Sequence, residues 1–220
     1  MEVSGYPKGH LGVASGFLGR YREFDMCVTN TERPAGSTCQ YYMSVDVCFN
    51  FNSMVNAVLE DPEYQWLWIL GDDHVWRKDL LLKLLDRNLD VVVPFCLRRT
   101  FPYHPILHRR GEAWDNYQDA WELLKGKTGL LEWQGATGNA GMLIRRHVIE
   151  KMAKDGPLFQ NGKTDPSVGG SDLYFWHRLI EAGYKPVIDL ENTIGHITHA
   201  SVWPLYDPKT GEWTFQMTAP

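Results

Sequence analysis

The sequence predicts an α/β fold in which a mostly parallel central sheet is flanked by helices and a hairpin ends the chain. Three observations predict it. Two short apolar runs, Trp66–Leu70 (WLWIL) and Asp90–Cys96 (DVVVPFC), read as buried strands. Between them lies Lys78–Arg87 (KDLLLKLLDR), an amphipathic helix, and such a strand, helix, strand unit joins parallel strands. The tail WPLYDPKTGEWTF sets Gly211 between two strand-like runs, as a hairpin turn requires.

Taken in order, the first 45 residues are rich in Gly and Pro and give weak signals, with Phe24–Thr29 (FDMCVT) read as a strand and Glu32–Ser37 (ERPAGS) as a loop. A helix is predicted over Asn52–Glu60, with Met54, Val55, Val58 and Leu59 on one face, and Asp61-Pro62 ends it. After the two apolar strands, Arg98–Gly129 is irregular apart from a short helix near Asp115–Leu124. Gly141–Arg145 reads as a strand and His147–Lys154 as a helix. Beyond a loop, Gly162–Gly170, a helix runs from Ser171 to Ala182, with Ser171 as N-cap and Gly183 just past the end. A short strand, Pro186–Leu190, leads to Gly195–His199 (GHITH).

The 220 residues suit one domain, 1–220, and 44% hydrophobic against 22% charged content is that of a globular chain. A net charge of -5 disfavours a broad electrostatic grip on nucleic acid. No apolar run nears the roughly 18 residues of a membrane span. Four cysteines without CxxC spacing, and a start without an apolar signal core, predict reduced thiols and a cytoplasmic protein. Nine Trp, ten Tyr and nine Phe are enough both to pack a core and to stack on a flat ligand. That content leaves a non-catalytic carbohydrate-binding module as one alternative.

Three places carry candidate chemistry. The Trp66–Leu70 run ends in Gly71-Asp72-Asp73-His74, three consecutive ligand-type residues where open α/β sheets bind ligands. Carboxylates suit Mg²⁺ or Mn²⁺, and the imidazole favours Mn²⁺; the plain alternative is an N-cap cluster. A metal there calls for a ligand from elsewhere in the chain, which His196 supplies, with His199 as rival. Asp172 sits in the first turn of the Ser171 helix, where the macrodipole keeps a carboxylate ionised, as a general base or as an ordinary helix-start residue.

The order of these motifs resembles the GT-A fold glycosyltransferases, a Rossmann-like family, and above all the inverting, family-2-like members. WLWILGDDHVW stands at the place of the DxD strand, followed by LDVVVPFCLRRTFPYHP, then GATGNAGMLIRRHVIEKM, then SDLYFWHRLIEAGYKP, and last IGHI with His196. The likeness runs from about Asn52 to His199. It implies a nucleotide-sugar donor, Mn²⁺ or Mg²⁺ held by Asp72, Asp73, His74 and His196, and Asp172 as the inverting base. Asn139 is implied as a donor-sugar contact and Asn52, in a Phe51-Asn52 pair where relatives carry Arg-Asn, as a nucleotide contact. Two registers stand open: Gly71 and Asp73 at the DxD positions, or Asp72-x-His74 as a DxH. Arg98 and Arg99 read equally as phosphate contacts and as solvated residues, and Trp133 as a core residue rather than a sugar platform. The implied acceptor is a hydroxyl of a glycan, a protein, a lipid-linked chain or a modified nucleic acid. The enzymatic alternative is a metal-dependent hydrolase using Asp72, Asp73, His74, His196 and His199.

Overall fold

The computed structural model describes residues 1–16, 20–109, 120–161, 170–198 and 201–218. In chain order the elements are β1 (Glu2–Val3), β2 (His10–Ser15), α1 (Arg22–Asn30), β3 (Arg33–Pro34), β4 (Thr38–Met43), α2 (Val47–Glu60) and β5 (Trp66–Gly71). There follow β6 (His74–Val75), α3 (Leu80–Asp86), β7 (Val91–Phe95), β8 (Leu107–Arg109), α4 (Ala120–Leu124), β9 (Leu130–Glu132) and β10 (Gly135–Thr137). The chain closes with β11 (Met142–Arg145), α5 (Arg146–Ala153), α6 (Ser171–Glu181), β12 (Val187–Thr193), β13 (Gly195–Ile197), β14 (Ser201–Asp207) and β15 (Glu212–Thr218).

The central sheet has seven strands in the order β4-β2-β5-β11-β7-β12-β9. It is α/β, and five of its seven strands point the same way, as a mostly parallel sheet requires, but it is mixed, with β11 and β9 running against the rest. β4, β2 and β5 are mutually parallel, as are β7 and β12, but β11 enters between β5 and β7 and runs against both. The crossover through α3 therefore spans one intervening strand, β11, supplied by a later part of the chain.

Strand β5 explains why the sheet forms. Trp66 to Leu70 are all fully buried, because both faces are covered. Leu67 and Ile69 join the core that packs under α2, α5 and α6. Trp66, Trp68 and Leu70 join the opposite core with Phe24 of α1 and the leucines of α3. The indole nitrogens of Trp66 and Trp68 donate to Pro7 O and Gly141 O, both at 2.8 Å, so neither burial leaves a polar atom stranded. Truncating either indole to Ala would cost about 3–5 kcal/mol.

Residues 24–29, expected as a strand, lie within helix α1. Phe24, Cys27 and Val28 fall on one helical face and pack in the core, while Met26 points to solvent, a 3.6-residue period that a six-residue window hides. Helix α2 starts five residues earlier than expected (Val47 rather than Asn52), because Asp46 caps it by accepting from Cys48 N and Phe49 N. Ser171 opens α6 rather than capping it; Gly170 is the N-cap. Gly183 has φ +87°, as a helix-ending glycine does. Of the helix expected near Asp115, only α4 is described; 110–119, like the loop 162–169, lies outside the described residues.

The C-terminal hairpin β14–β15 forms as expected, and it extends a second sheet of order β15-β14-β13-β6. Among the described residues no helix is long and apolar enough to cross a membrane. All four cysteines are free thiols.

Candidate active site

Topology brings the functional groups to one edge. β2, β4, β5, β7 and β12 point the same way, so their carboxyl ends share that edge, where α/β sheets bind ligands. β2 delivers Ser15 and Gly16, β4 delivers Ser44 and Val45, β5 delivers Asp72 to His74, and β7 delivers Cys96 and Arg99. β13, directly after β12, delivers His196. β11 runs the opposite way, so its entry, Asn139-Ala140, meets them. A cleft of about 890 Å³ opens there, near the upper end of the usual range for small-molecule sites.

The two aspartates at the tip of β5 diverge. Asp72 Oδ2 accepts from Ser15 Oγ at 2.8 Å and Gly16 N at 2.9 Å, which ties it to the end of β2. Asp73 turns the other way, toward Arg99 Nη1 at 2.9 Å, His196 Nε2 at 3.1 Å and His74 Nδ1 at 3.5 Å. Burial alone would raise the Asp73 pKa; the charges of His74, His196 and Arg99 outweigh it and hold the carboxyl well below its usual range. Gly71 makes this fold-back possible. A Cβ there would lie 3.0 Å from Asp73 Oδ1 and from the His74 ring, so a side chain at this position would press on both.

His196 reaches the site through the second sheet. β13 pairs antiparallel with β6, setting His196 opposite His74, and their rings lie 4.7 Å apart between centroids. Gly195 allows the approach: a Cβ would meet Val75 at 2.8 Å and Trp203 at 2.9 Å. The sequence reading missed the thiol beside this pair. Cys96 Sγ, His74 and His196 each offer a ligand atom, and the three atoms lie within 4.8 Å of one another. Burial would lower the His196 pKa and raise that of Cys96, but Asp73 and the thiol raise the imidazole, and the two imidazoles lower the thiol. The convergent atoms are thus two nitrogens and a sulfur, with Asp73 touching each ring. Asp72 is not among them.

Asp172 faces the same cleft from the first turn of α6. Its Oδ1 accepts from Asn139 Nδ2 at 2.8 Å and Ser171 Oγ at 3.2 Å. Burial pushes its pKa up to about 6, against the pull of those bonds and of His74. Asn139 Oδ1 and Asn50 Oδ1, both on the cleft wall, are buried and have no hydrogen-bond partner among the described residues. Such acceptors call for a donor.

Asn52 is not brought to the site. Its amide is engaged at both ends by Phe159, donating to the carbonyl at 2.7 Å and accepting from the N–H at 3.1 Å. Asn50, two residues earlier and so on the far face of the helix, faces the cleft in its place. Trp133 is structural, its indole donating to His108 O and Ala136 O. Arg99 lines the cleft and Arg98 does not. His199 lies outside the described residues. Phe51 is the one Phe, Tyr or Trp among the described lining residues; the large aromatics Trp66, Trp68 and Trp176 fill the core instead.

Among solved structures, A197 from STIV superposes with a TM-score of 0.60 at 15% identity, covering 96% of this chain and 95% of that one. The crystal structure of GalNAc-T7 with UDP, GalNAc and Mn²⁺ matches at a TM-score of 0.49 and 13% identity; it covers 86% of this chain, which spans 43% of that one. No protein-family model and no curated protein matches the sequence. The likeness to A197 is one of fold, and it extends over nearly the whole of both chains.

Proposed function

We propose that residues 1–220 act as one glycosyltransferase domain that moves a sugar from a nucleotide donor to a hydroxyl acceptor with inversion. One observation carries the reading: a carboxyl with a pKa of about 6, Asp172, faces the same cleft as the Asp73, His74 and His196 cluster. A base poised near neutral pH, beside a site for a divalent cation, is what sugar transfer from a diphosphate requires.

Each residue then has a task. Asp172 takes the acceptor hydroxyl proton on Oδ2, while Asn139 and Ser171 hold Oδ1 and fix the carboxyl plane. Asn50 and Asn139 accept from sugar hydroxyls through their unpartnered oxygens. Arg99 offers its guanidinium to a phosphate, exchanging Asp73 for it. Asp73, His74 and His196 would hold a divalent ion, which when bound supplies Lewis-acid stabilisation of the departing diphosphate. Asp72 orders the β2 end of the cleft through Ser15 and Gly16.

The test is incubation with a panel of nucleotide sugars and candidate acceptors, read by mass spectrometry, beside a thermal-shift series with nucleoside diphosphates. A product heavier by one sugar, with stabilisation by diphosphate plus metal, is expected. A hydrolase is the second reading, favoured by the paired imidazoles and thiol; stabilisation by metal alone and free sugar as sole product would select it.

A further inference from the structure

We infer that His74, Cys96 and His196 form a transition-metal site of the zinc class, with Cys96 thiolate closing its buried side. The inference goes beyond sugar transfer, since it concerns which cation the cleft selects.

Three observations carry it. The first is convergence. One donor atom from each residue lies within 4.8 Å of the others, near enough for one ion to draw them to bond length, roughly 2.0–2.3 Å for Zn–N and Zn–S. The second is the orientation of the imidazoles. His196 Nδ1 lies 3.0 Å from Leu97 O, and His74 Nδ1 lies 3.1 Å from Gly71 O. A carbonyl only accepts, so both Nδ1 atoms carry hydrogen and Nε2 is the ligating atom; on His196 that nitrogen faces Asp73 Oδ2 at 3.1 Å and gives up its proton to bind a metal. That backbone clamp on the second nitrogen is the arrangement that fixes metal-bound histidines. The third is placement. His74 and His196 line the cleft and Cys96 does not, although Cys96 is buried beside them. Three protein ligands with a further position toward the cleft is how catalytic zinc is held.

The donor set decides the metal. Mg²⁺ and Mn²⁺ favour oxygen, whereas two imidazoles and a thiolate favour Zn²⁺, Co²⁺ or Ni²⁺. Of the carboxylates that would tip the choice toward a hard ion, Asp72 is engaged by Ser15 and Gly16, and Asp73, which bonds Arg99 and lies 3.1 Å from His196 Nε2, adds at most one oxygen donor to a set of two nitrogens and a sulfur. On binding, the thiol proton leaves to solvent and the sulfur takes the metal in its place.

Cobalt titration of the metal-free protein tests this without nucleotide, sugar or turnover. The expected spectrum has visible bands of tetrahedral cobalt and a near-ultraviolet thiolate-to-cobalt charge-transfer band. Cys96→Ser should remove the charge-transfer band and His196→Ala both sets of bands. Calorimetry should show Zn²⁺ binding on the order of 100-fold more tightly than Mn²⁺. Should Cys96→Ser fail to fold, the combined variant Cys27→Ser, Cys39→Ser, Cys48→Ser decides, because Cys96 is then the sole thiol and must still give the band. Cobalt spectra without charge transfer, a band that survives Cys96→Ser, or equal affinity for Zn²⁺ and Mn²⁺ overturns the assignment. Loss of this site leaves sugar transfer to be judged by its products, and absence of transfer leaves the metal spectra standing.

Discussion

Asp189 and Asp73 are both paired with an arginine, and they are held in opposite ways. Asp189, on β12, is completely buried and accepts five hydrogen bonds: Arg87 at 2.7 and 3.0 Å, Asn192 Nδ2 at 2.7 Å, and the N–H groups of Glu191 and Asn192 at 3.1 and 3.2 Å. All its lone pairs are filled by fixed donors, so it pins the irregularity in β12 that turns the chain toward His196. Asp73 is held by an arginine that is 58% exposed and by two imidazoles that also serve other partners. Each of those contacts can be exchanged for a cation or a phosphate. A saturated carboxylate builds the frame, and an exchangeable one is available to ligands.

Asp172 stands between the two, with Oδ1 engaged by Asn139 and Ser171, and it gives the largest predicted effect. Asp172→Asn should reduce kcat by about 10³-fold, the scale of a lost general base. In the unaltered protein the rate should rise with pH through about 6, as the carboxyl loses its proton. Stability should move the other way. The folded pKa lies above the ordinary 3.8, so the acid form favours the fold below that value and the advantage is lost as pH rises through about 6. Asp172→Asn should therefore leave Tm unchanged near about pH 3 and raise it at about pH 8, a divergence that an aspartate with an ordinary or lowered pKa would not give. Parallel activity and melting profiles check both halves.

Next in size is Arg87→Ala. It strands the buried Asp189 and should cost about 3–5 kcal/mol, measured by urea unfolding. A loss below about 1 kcal/mol would place this pair with ordinary surface contacts and remove the contrast with Asp73. Gly71→Ala follows, at about 1–3 kcal/mol, because the added methyl presses on Asp73 and His74. Its metal affinity should fall further than its stability predicts, and calorimetry beside the unfolding curve separates the two.

The legible parts of the molecule were those where one local signal fixes the outcome. Trp66–Leu70 is apolar at every position because both faces of β5 are covered, and its polar tip then marks the ligand edge. The second apolar strand ends at the same edge by the same logic, and that place after Val91–Phe95 is the signal for Cys96 that the sequence reading left unused. The insertion of β11 between β5 and β7 was not, since sequence order does not carry spatial order. β2 was hidden by its composition, HLGVAS. Its Gly12 is dictated by Met54, which a Cβ would meet at 2.5 Å, and its buried His10 bonds Thr38 and Tyr42, partners from β4. Asn50 and Asn52 differ only in helical phase, which the expected start at Asn52 concealed because the cap at Asp46 lies six residues before it.

The smallest predicted effect bears most directly on the opening contrast. Arg99 meets Asp73 at 2.9 Å, nearly as close as Arg87 meets Asp189, so distance does not separate the pairs. Exposure does: water solvates the Arg99 guanidinium whether or not the pair forms, and such pairs are worth roughly 0–1 kcal/mol. Arg99→Ala should therefore shift Tm by no more than about 2–4 °C. If Arg99 serves a phosphate, the same variant should bind nucleoside diphosphate about tenfold more weakly, the loss of one charge-assisted contact. Metal affinity should hold or rise, because Asp73 is released toward His74 and His196. An Arg99→Ala protein that melts as early as Arg87→Ala, with diphosphate binding unchanged, would make Asp73 a second structural carboxylate and take the exchangeable ligand out of the cleft.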